Sequence, residues 1–387
     1  MVPHVAGVAS TRFGKHPESS TRELFTAAAH DALADASLVV GDVEELYVGN
    51  FIGDVTDDQA HVGAMLADYV GAPEAASVRT ESACASASSA ARMGARAIQS
   101  GDADVVLVGG VEMMFSSGIE EVTDALANAA DNEYENETGL TFPGIFAMLA
   151  RVYLREFDVT EEDLAAVAVK NRENGVSNPI SQRQEETSIE EVMDSPPIST
   201  PLKLGDCCPI TDGASATVLV SESFADERDL DAPVRIAGSD QSSDSLALQD
   251  RPDLTRTRSA ERAAEGAYQR AGIGPEDVDV VELQDCFTIA EILAVEALGF
   301  FERGEGSRGA VEGETAVDGR IPINTSGGLL AKGHPVGATG VAQLVEVTKQ
   351  LEGRHPNQVD GASVGLTHTV GGSGASCVVT VLENGGA

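Results

Sequence analysis

Three positions in this 387-residue chain combine a reactive side chain with a backbone context suited to chemistry. Cys84, in Val78-Arg-Thr-Glu-Ser-Ala-Cys84, falls where a strand-like run stops and an Ala/Ser/Gly-rich helical pattern starts. Backbone N–H groups and the positive end of a helix dipole favour a thiolate there, and the thiolate is the nucleophilic form of cysteine. Taken alone, a cysteine in such a place is more often a small buried hydrophobe. His334 shifts that balance. It lies in Asn324-Thr-Ser-Gly-Gly-Leu-Leu-Ala-Lys-Gly-His334-Pro-Val-Gly-Ala-Thr-Gly340, among glycines that permit tight turns and the close approach of a ligand. His368 opens a third segment of this kind, His368-Thr-Val-Gly-Gly-Ser-Gly374. A sulfur nucleophile and an imidazole can carry out nucleophilic attack and proton transfer near neutral pH.

The elements that must hold these residues read as an α/β fold with a mainly parallel sheet. Short apolar runs at His4–Ala9, Glu45–Val48, Ser77–Thr80, Asp104–Val108 and Ala216–Val220 alternate with helical patterns at Thr21–Ala36, Gln59–Val70 and Cys84–Ser100. After the acidic stretch Ser221–Asp231 the alternation restarts. Strands are expected at Val234–Gly238, Val278–Leu283, Pro322–Asn324, Ser363–Thr367 and Cys377–Leu382, with helices at Ala260–Arg270, Ile289–Leu298 and Val336–Leu351. Strand, helix and a Gly-Gly ending recur in both parts, so two similar halves are expected, residues 1–225 and 232–387. An excursion of about residues 111–209 interrupts the first half. The helix after Cys84 is so poor in bulk, apart from Arg92 and Arg96, that it is expected to lie buried between two sheets.

Composition narrows the partners. Against 63 Asp+Glu stand 25 Lys+Arg, a net charge of −38, which opposes binding to nucleic acid or to anionic membranes. The acids are spread along the chain, which points to a surface adapted to molar salt in a halophilic cytoplasm. Met1–Ser20 lacks a basic region followed by an apolar one, and no run of about 18 apolar residues occurs, so an intracellular, soluble protein is expected. Five cysteines without C-x-x-C spacing indicate neither a disulfide framework nor a zinc site, and no metal is expected.

Ser82-Ala-Cys84-Ala-Ser, Gly333-His-Pro-Val-Gly337 and the segment from His368 to Gly374 together resemble the thiolase family, in its archaeal and sterol-carrier-protein-type branch. The resemblance spans essentially the whole chain, including Asp212-Gly-Ala-Ser-Ala216 and Gln284-Asp-Cys-Phe287. It implies an αβαβα layered fold with an inserted helical loop domain and homodimers or homotetramers. For some relatives it also implies a small OB-fold partner protein. The implied activity is that of an acetyl-CoA C-acetyltransferase, joining two acyl-CoA molecules into a 3-ketoacyl-CoA and CoA, with CoA thioesters as substrates and no permanently bound cofactor. Carried over residue by residue, Cys84 is the acylated nucleophile, His334 activates it, and His368 replaces the second cysteine that exchanges a proton at the α-carbon. Gln284 stands where the family has Asn or His and would hold a water on an enolate oxygen. An oxyanion hole would use the backbone at Cys84, Val370 and Gly371, and Arg256 and Arg258 would face the CoA nucleotide. The rival activities are a decarboxylating 3-ketoacyl synthase and a catalytically weak acyl-CoA-binding subunit. Cys286 and Cys377 read as packing residues, and Cys207-Cys208 as structural.

Overall fold

The computed structural model describes residues 1–115 and 117–385. Nine strands form its main sheet: β1 (Pro3–Ser10), β2 (Glu45–Gly49), β3 (Ala76–Thr80), β4 (Val105–Glu112), β5 (Gly213–Ser221), β6 (Val234–Ser243), β7 (Val280–Leu283), β8 (Val364–Gly371) and β9 (Ser376–Asn384). Their spatial order is β3-β2-β4-β5-β1-β6-β9-β8-β7. The first five strands and the last four mirror one another across the junction of β1 with β6, where His4 faces Arg235 and Val5 faces Val234. The expectation of a mainly parallel sheet is corrected. Only β2–β3, β2–β4 and β7–β8 are parallel, because β8 and β9 form a hairpin and the long excursion returns β5 antiparallel to β4.

Helices α1 (Thr21–Asp35) and α2 (Val62–Val70) cover the outer face of the first half, where Phe25, Ala28 and Leu66 join Leu46 and Leu107 in one core. A capping box between Ser20 and Glu23 starts α1. Helix α3 (Ser86–Ser100) lies deeper. With α9 (Thr339–Leu351) it forms a central layer whose core includes Ala90, Ile98 and Val345 together with strand residues of both halves. Small residues are required there: a Cβ on Gly94 would press on Val108, and one on Gly340 would strike Ser88. The expected burial of this helix is therefore observed, although the two halves share one continuous hydrogen-bonded sheet.

The excursion contains α4 (Ile119–Ala127), α5 (Phe142–Glu156) and α6 (Glu161–Val176). On the outer face of the second half lie α7 (Arg258–Ala271) and α8 (Thr288–Ala297), and α8 also packs Ile289 and Ile292 against Ile145, Phe146 and Leu164 of the excursion. The layers are thus αβαβα. Two expected elements differ. Pro322–Asn324 contributes one bridge, Ile323 to Val281, because Asn324 turns to φ +55°. The helix expected from Val336 starts at Thr339, since the preceding turn is held by contacts with the first half. Among the described residues no helix is long and apolar enough to cross a membrane.

Candidate active site

Beyond β3 the chain makes a single 3-10 turn, Ala83–Ala85, and enters α3, so Cys84 stands at the mouth of that helix. Ala83 adopts φ +48°, a left-handed conformation unusual for a residue with a Cβ. Its strain is held by neighbours: Ala83 N donates to the Glu81 carboxylate at 2.7 Å, and Ser86 Oγ donates to Ala83 O at 2.6 Å. The sulfur opens on a cavity of about 680 Å³ whose wall is mostly apolar and aromatic, including Phe115, Leu126, Phe142, Phe146 and Phe287. The N–H of Gly372 and the side-chain amide of Gln284 hydrogen-bond the sulfur, yet burial outweighs them and pushes the thiol up to about 12. The expected resting thiolate is therefore corrected: desolvation exceeds what the helix end supplies.

His334 reaches the same cavity from the second half. Gly333, at φ +108°, lies against Thr211, whose hydroxyl accepts the His334 backbone N–H at 3.0 Å. The imidazole Nδ1 lies 2.7 Å from Thr339 Oγ1, and that hydroxyl donates its own hydrogen to Pro335 O at 3.1 Å. With the hydroxyl hydrogen on Pro335 O the oxygen accepts from Nδ1–H, the tautomer in which Nε2 is the unprotonated nitrogen. Nε2 is buried without a hydrogen-bond partner among the described residues, and burial pulls the imidazole down to about 3. At neutral pH the pair is a thiol and a neutral base.

Gln284 follows β7, and its Oε1 accepts from Val370 N at 3.0 Å. Its amide nitrogen is thereby turned toward sulfur, 3.7 Å from Cys286 and within hydrogen-bonding reach of Cys84. The N–H of Val370 is consequently engaged, and the donor that faces Cys84 is Gly372, a correction to the expected Val370–Gly371 pair. The Gly371 carbonyl accepts from Gly374 N and Ala375 N, both at 3.1 Å, and so polarises the peptide that carries the Gly372 N–H. His368 is buried in β8, its ring nitrogens having no hydrogen-bond partner among the described residues, and burial lowers it to about 4. It does not line the cavity, whereas Cys286 does. Arg256 is held by Glu261 through two 2.7 Å bonds and lines a separate hollow of about 310 Å³ with Arg303 and Glu296. Arg258 opens α7 and lines neither hollow.

Buried ionic groups underlie the His334 segment. Asp285 accepts from Leu329 N and Leu330 N, Glu282 accepts from Ser326, and Lys332 sits between Glu282 and Glu346 at 3.7 and 3.6 Å. Sequence reasoning left out Thr339, Glu112 and the cavity position of Cys286. A signal for Thr339 was its place five residues after His334, and for Glu112 a carboxylate ending an apolar strand. Among the described residues no group of three His, Cys, Asp or Glu could hold a metal ion.

Chemically, a nucleophilic sulfur that meets a peptide N–H and shares a cavity with a neutral imidazole can take an acyl group and release it to another acceptor. That is the work of an acyltransferase. Sequence comparison gives the lineage: the chain belongs to the thiolase family, residues 4–192 matching the thiolase N-terminal domain and residues 240–384 the thiolase C-terminal domain-like family. It is 44% identical over 347 residues to an acetyl-CoA acetyltransferase of Methanothermobacter thermautotrophicus, covering 90% of each chain. It is 35% identical over 348 residues to a benzoylsuccinyl-CoA thiolase subunit of Thauera aromatica, covering 90% of this chain and 88% of that one. Among solved structures it is similar to the Ltp2-ChsH2(DUF35) aldolase, with a TM-score of 0.86, 28% identity and coverage of 99% of this chain and 98% of that one.

Proposed function

We propose that the protein is an acetyl-CoA C-acetyltransferase acting through an acetyl thioester on Cys84, with CoA thioesters as its only cofactor-like molecules. The observation that carries this reading is that Cys84 and His334 line one apolar cavity, the His334 Nε2 having no hydrogen-bond partner among the described residues. His334 Nε2 takes the thiol proton as sulfur attacks the acetyl carbonyl and keeps it, the Gly372 N–H stabilises the developing oxyanion, and the leaving CoA sulfur takes its proton from a second acid, which thereby becomes the base of the next step. In the second step an α-proton leaves another acetyl-CoA, the resulting enolate attacks the thioester, and Cys84 departs with a proton from His334. The neutral resting pair suits this sequence, because the proton must leave sulfur only as attack begins.

Two groups compete for the α-proton. His368 follows from the family resemblance, but the position of Cys286 on the cavity wall, beside the Gln284 amide that also meets Cys84, favours Cys286. Its thiol would first give its proton to a CoA thiolate and then act as the base. Brief incubation with acetyl-CoA and peptide mass spectrometry tests the core of the reading. Acetyl label on the Cys84 peptide, together with acetoacetyl-CoA turnover in both directions, supports it; label confined to Cys286 or Cys208 sinks it.

The mirrored strand order supports a division into halves at 1–225 and 232–387. The exposed edge strand β3, with Val78 at 45% exposure, supports a homodimer or homotetramer. The name of the structural neighbour couples it to a DUF35 component, which supports a small partner protein here as well. The acid surplus supports a cytoplasm rich in salt.

A further inference from the structure

Glu112 ends β4 with a fully buried carboxylate that the chemistry above does not use. Four donors converge on it. Asn50 Nδ2 at 2.8 Å and Ile52 N at 3.2 Å donate to Oε1; Phe51 N and Gly337 N, both at 2.9 Å, donate to Oε2. Phe51 is part of the cavity wall, and Gly337 lies three residues beyond His334. The seat of Gly337 is cut to backbone dimensions. A Cβ on Gly49 or Gly110 would run into its carbonyl, and a Cβ on Gly337 itself would meet Asn50 Cα at 2.7 Å and the Glu112 carboxylate at 2.7 Å. The His334 segment, which belongs to the second half, is therefore docked on the first half at a point where one carboxylate also grips the cavity wall.

Burial pushes the Glu112 carboxyl up to about 7 against the pull of its backbone donors and of Arg79, so the group carries its charge from neutral pH upward. Arg79 itself donates to Asn50 O, Phe51 O and Asp54. A neutral amide in this place would present an NH₂ group to two of the four donors and lose their bonds.

We propose that Glu112 is a positioning residue for acyl transfer, which sets His334 relative to Cys84 by holding Gly337 N and Phe51 N together on one carboxylate oxygen, Oε2. The proposal rests on the thiolase reading for the reaction it assists. It has a second consequence, because the Glu112 charge also bears on Cys84 and disfavours the thiolate. Around the sulfur the other influences are the Gly372 N–H, the Gln284 amide and the neutral His334; around Glu112 they are Arg79 and the four donors. Loss of the charge should thus make Cys84 easier to deprotonate while making the enzyme slower. A defect of folding alone moves neither the alkylation profile nor the turnover of each folded site.

The test compares wild type, Glu112→Gln and Glu112→Asp, with turnover expressed per Cys84 that iodoacetamide can titrate. In Glu112→Gln, kcat should fall about 10²-fold, the loss typical of a misplaced catalytic group, while KM for acetyl-CoA stays within about threefold. Its Cys84 alkylation profile should shift to lower pH. Glu112→Asp keeps the charge but not the reach, so its alkylation profile should match wild type while kcat still falls. Unchanged kcat per titrated site in Glu112→Gln overturns the proposal, and so does a fall in kcat with an unmoved alkylation profile. If Glu112→Gln does not fold, Glu112→Asp decides: lowered kcat with the wild-type profile supports the proposal, and wild-type kcat refutes it. A wild-type enzyme without thiolase turnover would overturn the functional reading instead, a result visible before any variant is made.

Discussion

Thr339 Oγ1 holds the His334 ring by Nδ1 at 2.7 Å: with its hydroxyl hydrogen on Pro335 O, 3.1 Å away, the oxygen accepts from Nδ1–H and Nε2 is the basic nitrogen. Thr339 also begins α9, so the residue that holds the imidazole is the one that starts the central helix of the second half.

Thr339→Val should consequently be well folded but slow. The isosteric change leaves Nδ1–H buried without an acceptor, an omission that costs about 1–3 kcal/mol of stability. With the tautomer no longer enforced, kcat for acyl transfer should drop about 10²-fold, the lower range for loss of a general base. Thr339→Ser keeps the hydroxyl and should recover most of the rate. Equal kcat in the Val and wild-type enzymes, measured by acetoacetyl-CoA thiolysis, would show that the hydroxyl does not matter.

The resting protonation states give an unusual pH signature. Cys84 is pushed up to about 12 and His334 down to about 3, so neither titrates between those limits in the free enzyme. Iodoacetamide should alkylate Cys84 slowly at pH 7 and about tenfold faster per pH unit upward, following the small thiolate fraction. The acid limb of acyl transfer should not sit near 6.5, the ordinary imidazole value. A flat alkylation rate from pH 6 to 9 would reveal a preformed thiolate and imidazolium instead.

Proton exchange at the α-carbon separates His368 from Cys286. In D₂O, Cys286→Ala should lose deuterium incorporation into the methyl of acetyl-CoA by about 10²-fold or more while Cys84 is still acetylated. His368→Ala should exchange at nearly the wild-type rate, because His368 does not line the cavity. The reverse pattern would assign the work to His368 and require a rearrangement of β8 on substrate binding.

Salt should act on the whole surface. With a net charge of −38, dilution from molar KCl lengthens the Debye screening from about 3 Å toward 10 Å and exposes the compact state to its own repulsion. The melting temperature followed by circular dichroism should therefore fall steeply between 2 M and about 0.1 M KCl. An unchanged melting curve would mean that the acids are tolerated without salt.

Legibility from sequence followed locality. Strand and helix cores were readable because apolar periodicity is a local signal, and Cys84 and His334 because glycines mark where backbone must turn tightly around them. Glu112 was not readable: its value comes from Phe51 and Gly337, one before it and one far after it in the chain. The cavity position of Cys286 was hidden for the same reason, since a cysteine in an apolar run looks alike whether it packs or lines a pocket. Arg256 and Arg258 were placed by family analogy, and the ion pair with Glu261 shows how a nearby acid takes over an arginine that a motif cannot assign. The parallel reading of the sheet erred because pairing direction is a property of connections, and the hairpin at Gly372–Gly374 is visible only once both glycines are seen at positive φ.

The last strand of the chain, β9, is an interior strand, hydrogen-bonded on one side to β6 and on the other to β8. A ribosome delivers it after everything it must sit between. Until β9 is in place, β8 has no partner on that side and the turn that aims the Gly372 N–H at the thiol is not closed. A chain lacking β9 has no closed turn to aim the Gly372 N–H, so the geometry around a residue in the first half waits on a strand of the second.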